Sequence, residues 1–381
     1  MLISRCEAEK MQMHFLGLKS LAMKEKYMEM ALELAQKGMG KTFPNPLVGA
    51  IIVKNNKIVG VGYHQKAGKP HAEVNALKSA GRKAKRGTLY VNLEPCSHFG
   101  RTPPCVDSII RSGIKKVICS SLDPNPNVNG KGVKYLRRAG IDVKVGILKD
   151  KARKLNEIYF KRISTDFPFV MLKIAQTLDG NIATSSGDSK WVTENDSRQF
   201  VHFLRRQVDA VLVGINTVIK DNPKLTTKEV RGKNPLRIVL DSNGRIPLDS
   251  SLLKENRDGK TIIVVARKEA EKRIKNKAQV WRVKPNHQGK LGLKDFLKLA
   301  AKKGIGSILI EGGKEIFTSF LKEKLVDKIY CFISPKIIGE GRSTFGNLNI
   351  RKMSAALKLK DVELRKFSKD FLLIGYPDWR R

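Results

Sequence analysis

Four side chains in the first third of the chain are suited to one piece of chemistry: His71 and Glu73 of His71-Ala72-Glu73, Cys96 of Glu94-Pro95-Cys96, and Cys105 of Pro104-Cys105. A neutral imidazole and two thiolates make a three-ligand zinc site. The fourth position is left to water, as a catalytic zinc requires and a closed four-ligand structural site does not allow. Zinc lowers the pKa of such a water to about 7, which makes hydroxide available at neutral pH. Glu73 stands two residues after the histidine, in reach of that water and not needed as a ligand.

His-x-Glu followed by Pro-Cys and a second Cys is the zinc deaminase signature. Hydroxide adds to an amidine-like ring carbon and the Glu carries the proton to the departing amine. Any one of these residues alone reads as core, free Cys being among the most buried residue types. Their joint order carries the assignment. The spacing of the cysteines departs from the usual Cys-x-x-Cys: Ser97 to Pro104 intervene. The longer loop still permits tetrahedral ligation, and it brings His98 and Arg101 beside the metal, where a polar or phosphorylated substrate would be held.

A chain of 381 residues is too long for one typical core, so two domains are expected. No run of eighteen apolar residues occurs, so no membrane span is expected. Beyond Cys96 and Cys105, Cys119 and Cys331 sit in apolar runs and read as buried thiols, and Cys6 lies near the N-terminus. Nothing suggests a disulfide framework, which fits a reducing cytoplasm. The net charge of +38 fits nucleic-acid binding or the steering of small polyanions such as sugar phosphates and a phosphorylated dinucleotide. Lys and Arg are spread along the chain without a block or an aromatic-interleaved stripe, so nucleic acid is not the expected partner.

The elements that position the metal residues alternate. Residues 1–22 read as an extension, with Met23 the natural start of the first domain, 23–166. Apolar spacing at Tyr27, Met28, Ala31, Leu34 and Ala35 predicts a helix over 24–37. Strands are expected at 47–53, 58–63, 88–93, 116–120 and 141–145, and helices at 72–80, 105–112, 131–139 and 150–162. That alternation predicts a sheet covered on both faces by helices. Cys105 would open its helix, where the N-terminus favours a thiolate.

The second domain is expected to span 167–381, with strands near 169–175, 210–213, 236–241, 261–266, 279–283, 307–310, 326–333 and 371–376. Thr193 to Asp196 resembles a capping box opening a helix to about Gln207. Ile308-Leu309-Ile310-Glu311-Gly312-Gly313 reads as a buried strand, a glycine turn and a helix start, an arrangement able to take a pyrophosphate but equally common as plain turn punctuation. The Gly-x-Gly-x-x-Gly fingerprint of a standard dinucleotide fold is absent.

Both halves resemble one family, the bifunctional deaminase–reductases of riboflavin biosynthesis. The resemblance runs from about Met23 to the C-terminus. In the first half it rests on Asn45-Pro46-Leu47-Val48-Gly49-Ala50, His71-Ala72-Glu73-Val74, the stretch Leu93 to Cys105 and Asp123-Pro124-Asn125-Pro126. In the second half it rests on Thr177-Leu178-Asp179-Gly180, Gly187 to Trp191, Gly214 to Thr217, Asp221-Asn222-Pro223, Leu225-Thr226 and Glu311-Gly312-Gly313. The long cysteine loop is a feature of this family.

The resemblance implies an α/β chain: a cytidine-deaminase-like α/β/α N-terminal domain and a dihydrofolate-reductase-like C-terminal domain. It implies Zn2+ and NADPH, a phosphorylated pyrimidine substrate, no membrane, and a homo-oligomer. By position, Asn45, His64, His98, Arg101, Asp123 and Asn125 would hold the pyrimidine and its phosphate. Lys173, Ser189, Arg205, Leu225, Lys228 and Glu311 would contact the reductase substrate, and Ala175, Trp191, Thr217, Asp221, Gly312 and Gly313 would contact NADPH. Lys173 and Asp179 are the candidates for assisting proton transfer. The family often has Lys at the Arg101 position and Arg at the Lys228 position.

Two other readings are open to test. A nucleic-acid base deaminase shares the zinc motif and suits the charge, but leaves the second domain and the long loop unexplained. A nucleic-acid-binding protein with structural zinc needs a fourth protein ligand, for which His98 is the only close candidate.

Overall fold

The computed structural model describes residues 5–100, 102–227 and 234–379, with backbone alone for 5–20. Arg101 and Lys228 lie outside the described residues. The chain forms two compact units, Met1–Ser164 and Thr165–Arg381.

In the first unit the strands are β1 (Gly49–Lys54), β2 (Lys57–Tyr63), β3 (Thr88–Val91), β4 (Lys116–Cys119) and β5 (Asp142–Val145), in the order β2-β1-β3-β4-β5. β1 is antiparallel to both of its neighbours, and β3, β4 and β5 are parallel. The helices are α1 (Arg5–Gln36), α2 (Ala72–Ala80), α3 (Cys105–Arg111), α4 (Lys131–Arg138), α5 (Lys149–Leu155) and α6 (Glu157–Ser164). Strand alternation divides the apolar residues between two faces. Ala50, Ile52, Leu89 and Val117 pack with Ala72 and Ala76 of α2, Val106 and Ile109 of α3, and Leu136 of α4. Ile51, Val53, Tyr90 and Ile118 pack on the other face with Tyr27, Met28 and Ala31 of α1. This is the expected α/β/α arrangement. The small residues let α2, which carries the His-x-Glu motif, lie directly on the sheet: a Cβ at Gly62 would come within 2.3 Å of the Ala76 backbone nitrogen.

Two expectations differ here. The helix expected at 24–37 begins upstream, at Arg5. The helix expected at 150–162 is broken at Asn156 into α5 and α6.

The second unit is built on β6 (Phe169–Thr177), β7 (Asn181–Thr184), β8 (Ala210–Gly214), β9 (Leu236–Leu240), β10 (Thr261–Val265), β11 (Gln279–Arg282), β12 (Ser307–Gly312), β13 (Lys328–Ser334), β14 (Gly341–Ser343), β15 (Leu359–Phe367) and β16 (Asp370–Pro377). Its helices are α7 (Asn195–Gln207), α8 (Ile215–Asp221), α9 (Ser251–Lys254), α10 (Lys268–Ile274), α11 (Leu293–Lys302) and α12 (Lys314–Lys322). Nine strands form one sheet in the order β11-β10-β9-β8-β12-β6-β13-β16-β15, and β7 pairs with β14 apart from it. The sheet is parallel from β11 to β13; β16 and β15 add an antiparallel edge. Val170, Leu172, Leu212, Ile238, Ile308 and Ile310 on the strands pack with Phe296 of α11 and Phe317 and Phe320 of α12.

The strands at β7, β14 and β15 went unread because β7 and β14 are short and β15 is an exposed edge rich in charge. The capping box at Thr193–Asp196 is replaced by a long-range cap. Asp370, fully buried, accepts the Glu194 N–H at 2.7 Å and the Ser197 hydroxyl at 2.6 Å. A carboxylate at that end suits the helix dipole as a local cap would.

Candidate functional site

His71 immediately precedes α2, Cys96 lies in the loop after β3, and Cys105 is the first residue of α3. Sheet and helices thus bring together residues far apart in the chain. The His71 Nδ1 lies 3.2 Å from the Cys105 sulfur and 3.5 Å from the Cys96 sulfur. All three donor atoms fall within 4.8 Å of one another. One ion about 2.3 Å from each sulfur and about 2.0 Å from the nitrogen spans such a set. Nδ1 would therefore be the nitrogen that faces a zinc ion, while Nε2 lies 3.4 Å from the Thr102 hydroxyl, an outer contact of the kind that orients a ligating histidine. Among the described residues no fourth His, Cys, Asp or Glu joins the three. The donor set fits zinc with an open position.

Glu73, in the first turn of α2, is 3 % exposed. Burial pushes its carboxyl up to about 7, against a lowering by His71. A carboxyl near neutrality beside the metal donors suits a group that both takes and gives a proton. The hydrogen bond from Cys105 holds the Cys96 thiol well below the usual thiol range, and the same bond pushes Cys105 up. At the start of α3 the backbone N–H of Cys105 donates to the Cys96 sulfur at 3.3 Å, so the helix N-terminus also serves Cys96.

The expected pyrimidine residues among those described fall on four loops: Asn45 before β1, His64 after β2, His98 after β3, and Asp123 and Asn125 after β4. Asn45 Nδ2 and His64 Nε2 are 3.0 Å apart, and His64 Nδ1 lies 3.2 Å from the Pro70 carbonyl. The carbonyl only accepts, so Nδ1 carries the proton and Nε2 accepts from Asn45. Burial lowers the His64 pKa, consistent with a neutral ring. His64 is 2 % exposed and meets His71 edge to face at 5.3 Å. Both of its nitrogens are engaged with protein, which makes it the support that aims Asn45. Asp123 is 6 % exposed; its Oδ1 accepts the Asn125 N–H at 2.9 Å, while Asn125 Oδ1 accepts the Asn127 N–H at 3.0 Å. His98 is half-buried, and its Nδ1 is a buried atom with no hydrogen-bond partner. Phe99 beside it is 79 % exposed.

Sequence reading missed the residues that hold these loops. The Glu94 carboxylate, 4 % exposed, accepts N–H groups from Asp123 at 3.2 Å, Gly130 at 2.9 Å and Val133 at 3.1 Å. Asn92 bridges Gly49 N–H at 2.8 Å and Leu47 carbonyl at 2.9 Å. Tyr159 donates its hydroxyl to Asp123, 2.9 and 3.1 Å from the two oxygens. Glu94 stands in the Glu-Pro-Cys motif, where a carboxylate was in view. Tyr159 carried no signal.

In the second unit, Lys173, Ala175, Ser189, Trp191, Arg205 and Thr217 line a cleft of about 1840 Å3 together with Asp221, Leu225, Glu311, Gly312 and Gly313. A drug-sized ligand needs roughly 300–1,000 Å3, so there is room for a dinucleotide and a second molecule. The cleft opens where the parallel strands β6, β8 and β12 end, the usual ligand edge of an α/β sheet. Arg205 grips Glu311 through two hydrogen bonds, Nε to Oε1 at 2.5 Å and Nη2 to Oε2 at 2.8 Å, and gives Nη1 to the Thr226 carbonyl at 2.9 Å. Lys173 Nζ is 3.8 Å from the same carboxylate. Burial alone would raise Glu311; the Arg205 charge outweighs it, with Lys173 helping, and the net displacement is down. Burial lowers Lys173, against Glu311. The Glu311 shift favours its anion beside Arg205, while the Lys173 shift runs the other way and eases proton loss from its ammonium; the three groups form a buried triad at the cleft floor.

Trp191 is 63 % exposed, with the Arg198 guanidinium 4.5 Å above its ring. The Thr217 hydroxyl would sit 3.2 and 3.3 Å from any Cβ at Gly312 or Gly313, so side chains there would crowd the cleft edge. The glycine turn fits a cradle for a pyrophosphate. Leu225 is held in the left-handed region at φ 52. Asp179 does not line this cleft. Its carboxylate accepts the Thr177 hydroxyl at 2.5 Å and the N–H groups of Ile338 and Gly339 at 3.1 and 2.8 Å. It fastens a loop, and this placement does not support a role in proton transfer.

Comparison with known proteins agrees with this division. Residues 168–373 match the family model described as RibD C-terminal domain, and residues 21–121 match that of the cytidine and deoxycytidylate deaminase zinc-binding region. The riboflavin biosynthesis protein RibD of Aquifex aeolicus is 51 % identical over 351 residues, 91 % of this chain and 96 % of its own length. That of Escherichia coli K12 is 40 % identical over 363 residues, 92 % of this chain and 98 % of its own. The crystal structure of a diaminohydroxyphosphoribosylaminopyrimidine deaminase/5-amino-6-(5-phosphoribosylamino)uracil reductase from Thermotoga maritima aligns with TM-score 0.83 at 38 % identity, over 94 % of this chain and 100 % of that one. Acinetobacter baumannii RibD also gives 0.83, at 37 % identity, over 94 % of this chain and 99 % of that one. With a zinc-fitting His-Cys-Cys centre in one unit and a cofactor-sized cleft in the other, the chain belongs to the RibD family, the bifunctional deaminase–reductases of riboflavin biosynthesis.

Proposed function

We propose that the first unit hydrolyses the exocyclic amine of 2,5-diamino-6-(5-phosphoribosylamino)pyrimidin-4-one. The second then reduces the ribosyl group with NADPH, giving 5-amino-6-(5-phosphoribitylamino)uracil. The observation that carries this is the three-donor centre without a fourth described ligand, with buried Glu73 beside it. A closed structural zinc site would need that fourth ligand.

His71, Cys96 and Cys105 would hold the zinc, which when bound supplies an activated water. Glu73 takes a proton from the water side and delivers it to the departing ammonia. Asn45, aimed by His64, and Asp123 with Asn125 hold the pyrimidine by its donors and acceptors; His98 on the cysteine loop, with Arg101 close by in sequence, is assigned to the phosphate.

In the second unit, Ala175, Trp191, Thr217, Asp221 and the Gly312-Gly313 turn hold NADPH, which when bound supplies the reducing equivalents. Lys173, Ser189, Arg205, Leu225, Lys228 and Glu311 hold the sugar. Cations including Lys220, Lys224, Arg245, Arg267, Lys290 and Lys314 line the cleft and suit two phosphorylated ligands. Lys173, close to Glu311, is the cation placed to polarise the opened sugar.

In this reading the protein works in the cytoplasm as a homo-oligomer. Outside the metal centre, Cys119 and Cys331 are free thiols, as a reducing compartment keeps them.

The test is purified protein with the diaminopyrimidinone, followed for ammonia release and NADPH loss separately, then repeated with Glu73→Gln. Loss of ammonia release, with reduction of supplied deaminated intermediate retained, is expected. Undiminished ammonia release by the variant would overturn the role of Glu73.

A further inference from the structure

Two of the loops assigned to the pyrimidine, 44–47 and 123–125, are distant in sequence, yet one short stretch at the end of the first unit grips both. Asn156, at the break between α5 and α6, donates Nδ2 to the Leu47 carbonyl at 2.9 Å and accepts the Leu47 N–H on Oδ1 at 2.7 Å. Three residues on, Tyr159 donates its hydroxyl to Asp123 at 2.9 and 3.1 Å. Three residues further, Arg162 donates Nη1 to the Pro44 carbonyl at 3.0 Å and lies 5.0 Å over the Phe43 ring. Residues three apart are neighbours on a helix surface, so the three fan across one side of this segment. No residue of α6 is buried. The segment is tied to the site by directed hydrogen bonds, not by a core.

We propose that residues 156–162 form a clamp that sets the distance between Asn45 and Asp123, and that Tyr159 and Asn156 are positioning residues for the deamination. The proposal rests on the assignment of Asn45 and Asp123 to the pyrimidine. A carboxylate has about four acceptor sites. The Asn125 N–H and the Tyr159 hydroxyl take those facing them and fix the plane of Asp123, leaving acceptor capacity on Oδ2 for a ligand N–H. Without the hydroxyl, the carboxylate loses the bond that selects its orientation. Asn156 acts in the same way on the backbone that carries Asn45, because it holds both polar groups of Leu47. None of the three clamp residues belongs to the metal donor set.

Tyr159→Phe, Asp123→Asn and the double variant test this, with KM and kcat for ammonia release, zinc content, and reduction of supplied deaminated intermediate measured on each. Losing a hydrogen bond to a charged acceptor is expected to raise KM about tenfold in Tyr159→Phe, with kcat, zinc content and reduction little changed. Asp123→Asn raises KM further, and the double variant is no worse than Asp123→Asn, because Tyr159 acts through Asp123. Asn156→Asp, which keeps the acceptor and loses the donor, raises KM as well. Strict multiplication of the two single effects in the double variant, or an unchanged KM in Tyr159→Phe or Asn156→Asp, overturns the clamp. An unchanged KM in Asp123→Asn overturns the pyrimidine assignment itself, and the clamp with it.

Discussion

The two sites solve their problems with different amounts of protein chemistry. In the first unit the chain itself provides the reacting groups: His71, Cys96 and Cys105 within 4.8 Å of each other and Glu73 buried beside them. In the second, a cleft of about 1840 Å3 is lined by residues from many elements. There the chemistry belongs to the cofactor, and the protein supplies placement and charge. A site that must ligate a metal tolerates few residue types at few spacings. A site that must only shape and charge a groove accepts many solutions, so its residues are scattered and individually plain.

Zinc removal separates the two most widely. Stripping the metal with a chelator should drive ammonia release to background, while NADPH oxidation with the deaminated intermediate continues. Loss of both would break the independence of the two chemistries. The next largest effect is expected at the buried triad. Arg205→Ala takes from Glu311, whose side chain is 5 % exposed, the partner that makes two hydrogen bonds to it, leaving Lys173 at 3.8 Å as the nearby counter-charge. This should cost about 3–5 kcal/mol of second-unit stability in denaturant unfolding and abolish reduction, with ammonia release unaffected.

The same pair predicts a pH dependence. Glu311 is displaced below the ordinary carboxylate range in the folded chain. It therefore contributes stability above its unfolded pKa, and that contribution is lost as pH falls through the depressed folded value. Unfolding followed from neutral to acid pH should show this loss in the native protein and not in Glu311→Gln. A smaller effect is expected at the exposed ring of Trp191. Trp191→Leu removes the stacking of Arg198 and should weaken NADPH binding several-fold, about 1 kcal/mol, with no change in unfolding midpoint. At the small end are the thiols outside the metal centre. Burial pushes Cys119 and Cys331 up to about 12, so mass spectrometry should find both unmodified by iodoacetamide at neutral pH in the folded protein.

The contrast also governs what the sequence made legible. The metal centre could be read directly, because His71, Glu73, Cys96 and Cys105 stand in short motifs with one chemical use. The alternating pattern gave the α/β/α unit and most strands of the second sheet, since buried strands such as 210–213 are continuous apolar runs. The supports were hidden because they act over long separations. Asp370 caps α7 across 176 residues of chain to Glu194, a partner no local pattern announces. Tyr159 reaches Asp123 from a helix with no buried face. The capping box at Thr193 failed for the same reason: local chemistry suggested one cap and tertiary packing supplied another. The helix dipole at Cys105 was read correctly as an anion-stabilising element, but its N–H is aimed at the neighbouring Cys96 sulfur.

The central claim is the open fourth position, and X-ray absorption at the zinc edge on the purified protein tests it most directly. The account predicts one zinc per chain with two sulfurs at about 2.3 Å, a single imidazole and one oxygen from solvent. A first shell holding two imidazoles, or three sulfurs, would show the position filled by protein and contradict the assignment of a catalytic metal.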